Sequence, residues 1–179
     1  MARPPGKATE IKGLDLTTFA TRLVGDLAAE LTAVMGDKQA REVVSLVGLG
    51  MAEDLERAVA QGVVKDPEGR FSPDDVGKIL VEVKRRIRGD FSVESASSSR
   101  LVLTNRRCPF GDEVKGRPAL CKMTSSVFGG VAARHFGAAT VEIEKAIARG
   151  DEGCRVTILL GAAAPKTRSP WVEHYRGPD

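Results

Sequence analysis

Aromatic residues are scarce in this 179-residue chain, where six Phe, one Trp and one Tyr make up 4% of the composition. Stacking platforms for single-stranded nucleic acid or sugar rings are hard to build from so few. Long apolar runs are also missing. No window approaches the roughly eighteen uncharged apolar residues of a membrane span, and the opening MARPPGKATEIKG lacks the core of a secretory signal. The expectation is a cytoplasmic protein with no membrane partner. The chain contains no GxxxxGKS/T loop, no GxGxxG after a strand, no HExxH and no GxSxG. Nucleotide hydrolysis and the common hydrolase chemistries lose their carriers. Only three cysteines are present. An odd count without an export signal argues against a disulfide framework and for thiols that are buried, reactive or metal-bound.

What is present is ordinary soluble composition, 42% apolar and 28% charged, at a length suited to one domain. The net charge of +3 is unevenly spread, with Lys and Arg concentrated between residues 84 and 122. A nucleic-acid patch around Lys84, Arg85, Arg86 and Arg88 is one reading. A solvated helix end, where cations meet the carbonyl dipole, is the commoner cause, and no helix-turn-helix spacing supports DNA binding.

The periodicity divides the chain. Residues 1–13 read as a flexible lead-in, 14–162 as one domain and 163–179 as a flexible tail, mobile unless it docks through Trp171 and Tyr175. Asp15 is a candidate N-cap for a helix with apolar residues at Leu16, Phe19, Leu23, Leu27, Leu31 and Val34, ending near Gly36. A second helix starts at Asp37, with Gly48 and Gly50 weakening its middle. Ser72, Pro73 and Asp75 provide the cap, first-turn proline and acidic N3 of a third, running to about Arg88. Beyond Gly89 the period changes to two, giving two short strands around Phe91 to Val93 and Leu101 to Leu103. A Gly/Pro-rich loop, CPFGDEVKGRP, leads into a helix, LCKMTSSVFGGVAARHF, and a hairpin of ATVEIEKAI and CRVTILL follows. Helices first, then a mainly antiparallel sheet with a packed helix and a C-terminal β-hairpin, is the α+β pattern.

Cys108 opens the loop, Cys121 starts the helix and Cys154 begins the last hairpin strand, a C-x12-C-x32-C spacing. The spacing alone is a weak zinc signal, but all three lie at element ends, which can converge. Separate buried thiols are the plain alternative. A fourth ligand is needed, and His135 is excluded if the helix is unbroken, because fourteen residues at about 1.5 Å each place it roughly 21 Å from Cys121. Glu142 or Glu144 is the better candidate, and hairpin register decides which of them faces Cys154.

CPFG, LCKMTSSVFGGVAARHFG, TVEIEKAIARGDEGC and RVTILL together resemble the methanogen output domain family of prokaryotic signal-transduction proteins, and more remotely the 4-vinyl reductase-like domains. The resemblance covers about residues 70–162, extends loosely over 14–69 and is absent from the tail. It implies a sensor or output module rather than a dedicated enzyme. In the 4-vinyl reductase-like domains that sense aromatic effectors, three cysteines and a glutamate hold zinc near the ligand pocket. Carried over, these match Cys121, Glu144 and Cys154. The family's middle cysteine falls near Ile147, which cannot ligate, leaving Cys108 to fill the vacancy. The gap keeps an iron–sulfur cluster on Cys108, Cys121 and Cys154 as an alternative to zinc.

The first functional expectation is therefore a sensor binding a metal and a small apolar ligand beneath helix 121–136, with Phe128, Gly130 and His135 on the pocket wall, acting through a homodimer or a signalling protein. Small residues at Gly129 and Gly130 leave either room for a ligand or a site of close packing. An iron–sulfur or thiol-based redox sensor is the alternative. A cysteine-dependent enzyme, with Cys108 or Cys121 as nucleophile and His135 as base, is the lesser one.

Overall fold

A computed structural model of the chain describes residues 15–60, 70–161 and 172–177. Four helices and five strands follow in order: α1 Leu16–Met35, α2 Asp37–Ala60, α3 Pro73–Arg86, β1 Ser92–Ala96, β2 Arg100–Asn105, α4 Ala119–Phe136, β3 Ala138–Lys145, β4 Cys154–Leu160 and β5 Val172–Arg176. Two short 3-10 turns, Gly111–Val114 and Ile147–Arg149, sit between them. The strands form one antiparallel sheet in the order β1-β2-β4-β3-β5. The α+β architecture expected from the periodicity is the observed one. No helix among the described residues is long and apolar enough to cross a membrane.

The helix starts follow local chemistry. Asp15 accepts a hydrogen bond from the Thr18 amide at 2.8 Å, and Gly36, at φ 84°, ends α1 where a side chain would be strained. Ser72 and Asp75 close a reciprocal capping box at the start of α3. Helix α3 then lays Val76, Ile79, Leu80 and Val83 against the sheet, and all four are buried. Helix α4 is buried on most of its circumference because it lies between two partners, the sheet and α2.

That sandwiched position explains the small residues. A Cβ on Gly48 would come within 2.8 Å of Ser126 Cβ, and one on Gly130 within 3.1 Å of Ala52 Cβ, so both glycines let α2 and α4 close up. A Cβ on Gly129 would lie 1.9 Å from the Tyr175 ring. The room expected beside Gly129 and Gly130 is thus taken by helix and strand packing. Tyr175 belongs to β5, in the segment expected to be a flexible tail. Here 172–176 pairs with β3, and the tyrosine hydroxyl is 3.0 Å from Ser125 Oγ and donates to Glu173 at 2.5 Å. Trp171 lies outside the described residues. Of the two alternatives for this segment, docking through Tyr175 is the one observed over 172–176.

Helix α1 departs from the simple packing of an amphipathic helix onto its own sheet. Only Gly25 and Ala28 are buried on it, while Leu16, Phe19, Leu23, Leu27 and Val34 remain exposed.

Candidate functional site

Four element ends meet at one end of the sheet. Strand β2 ends at Asn105, whose side-chain oxygen accepts the Cys154 amide at 3.0 Å and whose amide donates to the Arg107 carbonyl at 3.2 Å. This one side chain holds the start of β4 against the start of the following loop. Asp90 fixes the same loop by accepting the amides of Arg106 and Arg107 at 3.1 and 2.7 Å. Residues 108–117 then fold over the first turns of α4 as a flap. Its turn geometry requires Gly111 (φ 56°) and Gly116 (φ 71°), and the Gly116 amide donates to the Ala148 carbonyl at 3.1 Å.

Beneath the flap is a mostly apolar cavity with about 20 Å³ of free volume, room for one water. Cys108 from the flap, Cys121 from α4 and Cys154 from β4 all line it, with Phe91, Phe110, Val114, Thr124, Ile147 and Val156. The three cysteines are free thiols. Burial pushes all three up from the usual thiol range. The effect is largest at Cys121, which reaches about 12, with the other two sulfurs adding to it. They are protonated at neutral pH, so the helix start gives Cys121 no nucleophilic thiolate.

Lys84 stands behind the wall of this cavity. It is 3% exposed, and its ammonium donates to Thr124 Oγ1 at 2.8 Å. Its Nζ lies 5.2 Å from the Phe128 ring centre and 5.9 Å from that of Phe91, the rings themselves meeting edge to face at 5.3 Å. Among the described residues no carboxylate pairs with it. Burial pulls it down to about 8, against the opposing pull of the three sulfurs. The sequence reading placed Lys84 with Arg85, Arg86 and Arg88 on a solvated helix end. Arg85 and Arg86 do face solvent and pair with Glu82. Lys84 does not, because it continues the buried stripe of Val76 and Leu80 at a spacing of four.

The other expected site residues lie elsewhere. Glu144 sits on the face of the sheet opposite Cys154. It accepts from Thr157 Oγ1 at 2.5 Å and from Arg155, and lies 3.8 Å from Arg100. It follows Ile143, which lines the cavity, so strand alternation places it on the outer face, beside a bulge between Ile143 and Lys145. Phe128 is fully buried against Phe91 and Lys84, and Gly130 faces α2. At the far end of the unbroken α4, His135 Nε2 lies 2.6 Å from Glu56 Oε1, and the ring packs on Phe71. The structure therefore brings Cys108, Cys121 and Cys154 around one cavity and leaves Glu144, Phe128, Gly130 and His135 outside its lining. Among the described residues, no three His, Cys, Asp or Glu side chains are grouped so as to hold a metal ion.

The flap also touches α1. Arg117 donates to Asp26 Oδ1 at 3.2 Å and to the Glu113 carbonyl at 3.1 Å, and pairs with the Glu113 carboxylate. A Cβ on Gly25 would come within 2.6 Å of the Arg117 guanidinium, so α1 meets the flap at a glycine.

Comparison with known proteins places this arrangement. The family model of methanogen output domain 1 matches residues 23–159. The fold is similar to that of the phenol-responsive sensory domain of the transcription activator PoxR, solved with phenol, at a TM-score of 0.60 and 15% identity over 78% of this chain and 74% of that one. It is also similar to trafficking protein particle complex subunit 3 from Naegleria fowleri, covalently bound to palmitic acid, at a TM-score of 0.55 and 14% identity over 79% of this chain and 95% of that one. The sequence matches none of the curated proteins with which it was compared.

Proposed function

We propose, starting from the fact that this chain belongs to the methanogen output domain 1 family, that it is a small-molecule sensor whose ligand enters the thiol-lined cavity under the 108–117 flap. The observation that carries this reading is the flap itself. It closes an apolar cavity on one side and is bridged to α1 through Arg117 on the other. A ligand that fits only with the flap raised favours that state by the difference in its affinities for the two. The change then reaches α1 through the Arg117–Asp26 contact. The known ligands of two proteins of similar fold, phenol and a fatty acyl chain, are both apolar bodies, which agrees with the lining seen here.

Thermal denaturation of the full chain with and without phenol tests the proposal. A concentration-dependent rise in melting temperature is expected for the wild type, and its loss in Ala148→Phe, which fills the cavity from the turn opposite the flap. A phenol response that survives Ala148→Phe in folded protein sinks the assignment to this cavity.

A metal on Cys108, Cys121 and Cys154 is a second proposal, supported by one observation, that the three thiols line one space. It requires them to close up, lose their protons and be joined by a donor other than Glu144, which is engaged by Arg155 and Thr157. Zinc and iron content of protein purified without chelator tests it.

A further inference from the structure

A buried cation without an anion is the least economical feature of this fold. Ionised groups removed from water are paired, or give up their charge, because a lone buried ion is costly. Lys84 has one hydroxyl and the faces of two aromatic rings around its ammonium, and among the described residues no carboxylate. Its hydrogen-bond partner, Thr124, and one of its rings, Phe91, are also on the cavity wall. The cation is therefore one side chain away from the space assigned to the ligand.

We propose that Lys84 and Thr124 form the polar end of that space and take the carboxylate of a small apolar acid. The inference rests on the sensor reading above and narrows it to a ligand class. One ammonium neutralises one carboxylate, whereas a phosphate dianion would leave an unpaired charge in an apolar enclosure. The two carboxylate oxygens also match two donors, the Lys84 N–H and the Thr124 O–H, once the hydroxyl turns from accepting to donating. The rest of the lining supplies the apolar half. Phe110, Val114 and Ile147 surround a body without further polar groups, and the side chain of Asn105 is already committed to Cys154 and Arg107. The neutral thiols add no repelling charge. Raising the flap supplies the volume that the closed cavity lacks.

The test compares two probes of similar size, benzoate and benzyl alcohol, by thermal shift and calorimetric titration on the full chain. The wild type is expected to bind both and to prefer benzoate. Lys84→Met keeps the length of the side chain and is expected to weaken benzoate at least about tenfold while leaving benzyl alcohol nearly unchanged. Thr124→Val, a second variant that keeps the lysine, is expected to weaken benzoate by a smaller factor. Equal affinity for the two probes in the wild type, or benzoate binding untouched in both variants, overturns the carboxylate assignment and leaves the sensor reading standing. A wild type that binds neither probe but responds to phenol overturns the carboxylate assignment alone, and one that binds neither probe and does not respond to phenol overturns both.

Discussion

Replacing Lys84 by Met should make the protein more stable, which is unusual for a fully buried, hydrogen-bonded residue. The side chain is held at about 8 against an ordinary lysine value of 10.5. Two and a half units at about 1.4 kcal/mol each put the cost of burying the ammonium near 3 kcal/mol at neutral pH. Met fills the space of the methylene stem and introduces no charge. Against the gain stands the Thr124 hydroxyl, which loses its donor and must turn to the carbonyl one turn back in α4, at a cost of about 1 kcal/mol. The net expectation at pH 7 is a gain of about 2 kcal/mol.

The dependence on pH separates this cause from mere repacking. Below pH 8 both folded and unfolded states carry the Lys84 proton, and the full cost is present. Between pH 8 and 10.5 the folded state gives up the proton while the unfolded state keeps it, so wild-type stability gains from Lys84 as pH rises. Above 10.5 the cost is gone. The advantage of Lys84→Met should thus fall by about 3 kcal/mol between pH 7 and 10.5, ending as a deficit of about 1 kcal/mol. The titratable groups facing Lys84 are Cys108 in the flap, Cys121 on α4 and Cys154 on β4. Their own titration occurs in both proteins and largely cancels in the difference. Urea denaturation of the two proteins across this range reads the result. A variant that is less stable at pH 7, with a gap that does not move with pH, refutes the account of Lys84 as an uncompensated buried charge.

Two further predictions concern packing and thiol chemistry. Gly129→Ala forces a methyl group into the Tyr175 ring and is expected to cost about 3 kcal/mol and to expose the 172–176 amides to hydrogen exchange. Gly50→Ala, at an exposed position of α2 with nothing within 4 Å of the new Cβ, should stabilise by up to about 1 kcal/mol; equal effects at the two positions would contradict the β5 packing. Cys121, pushed from 9.0 to about 12, should be alkylated by iodoacetamide at pH 8 about a thousandfold more slowly than in urea, and acceleration by a chelator would show instead that a metal protects it.

The elements that were legible in the sequence are those specified by neighbours along the chain. Asp15, Gly36, Ser72 with Asp75, and the three-and-four spacing of α3 are local signals, and each helix start or stop they mark is present. Strand β5 carries no such signal. Val172–Arg176 is a five-residue edge strand with charged side chains, and it is a strand because β3 offers an edge and Gly129 offers a seat for Tyr175. Adjacent glycines on α4 hid another distinction. Successive helical residues are separated by about 100°, so Gly129 meets the sheet and Gly130 meets α2, and no single pocket contains both.

In the site, the gathering of the three cysteines around one cavity was readable from their positions at element ends, although among the described residues they are not grouped so as to hold a metal, and the place of Glu144 was not readable. It is set by Ile143 facing the cavity, in a hairpin whose register includes the bulge at Ile143/Lys145 and a turn held by Asp151, whose carboxylate accepts the Ala146 amide at 2.7 Å. Lys84 was readable in principle. It falls on the apolar stripe at four and eight residues from Leu80 and Val76, and was concealed by its company, since Arg85 and Arg86 carry the same charge and do face solvent. A charged residue on a buried stripe is a stronger signal than a run of charges, because the stripe determines where the side chain must go.

The division of labour within the fold bears on how a weak ligand could drive it. Half of α4 is fixed by Gly129 against Tyr175, Gly130 against Ala52 and the ion pairs of Arg134 with Glu53 and Glu56, contacts that leave no slack. The end bearing the cavity is closed by much less. Raising the flap loses one backbone hydrogen bond, Gly116 to Ala148, worth about 1 kcal/mol. It also exposes Val114, at about 2 kcal/mol, and loosens the solvent-facing pair of Arg117 with Asp26, at up to about 1 kcal/mol. These three terms alone come to about 4 kcal/mol, the standard binding free energy of a ligand with millimolar intrinsic affinity, and the burial of Cys108 and Phe110 adds to them. A ligand with micromolar intrinsic affinity for the open state, present at about millimolar concentration, would roughly offset that sum and half-occupy the site. A carboxylate that also relieves the charge on Lys84 gains its extra affinity where the protein is most strained electrostatically. Because that relief is available only to a ligand that reaches the Thr124 wall, acids should shift α1 further than neutral molecules of equal size. Attaching a spin label at Arg22, an exposed position one turn from Asp26, and recording its mobility with benzoate and benzyl alcohol at equal, sub-saturating concentration would reveal the difference; identical spectra for the two would break the link between Lys84 and α1.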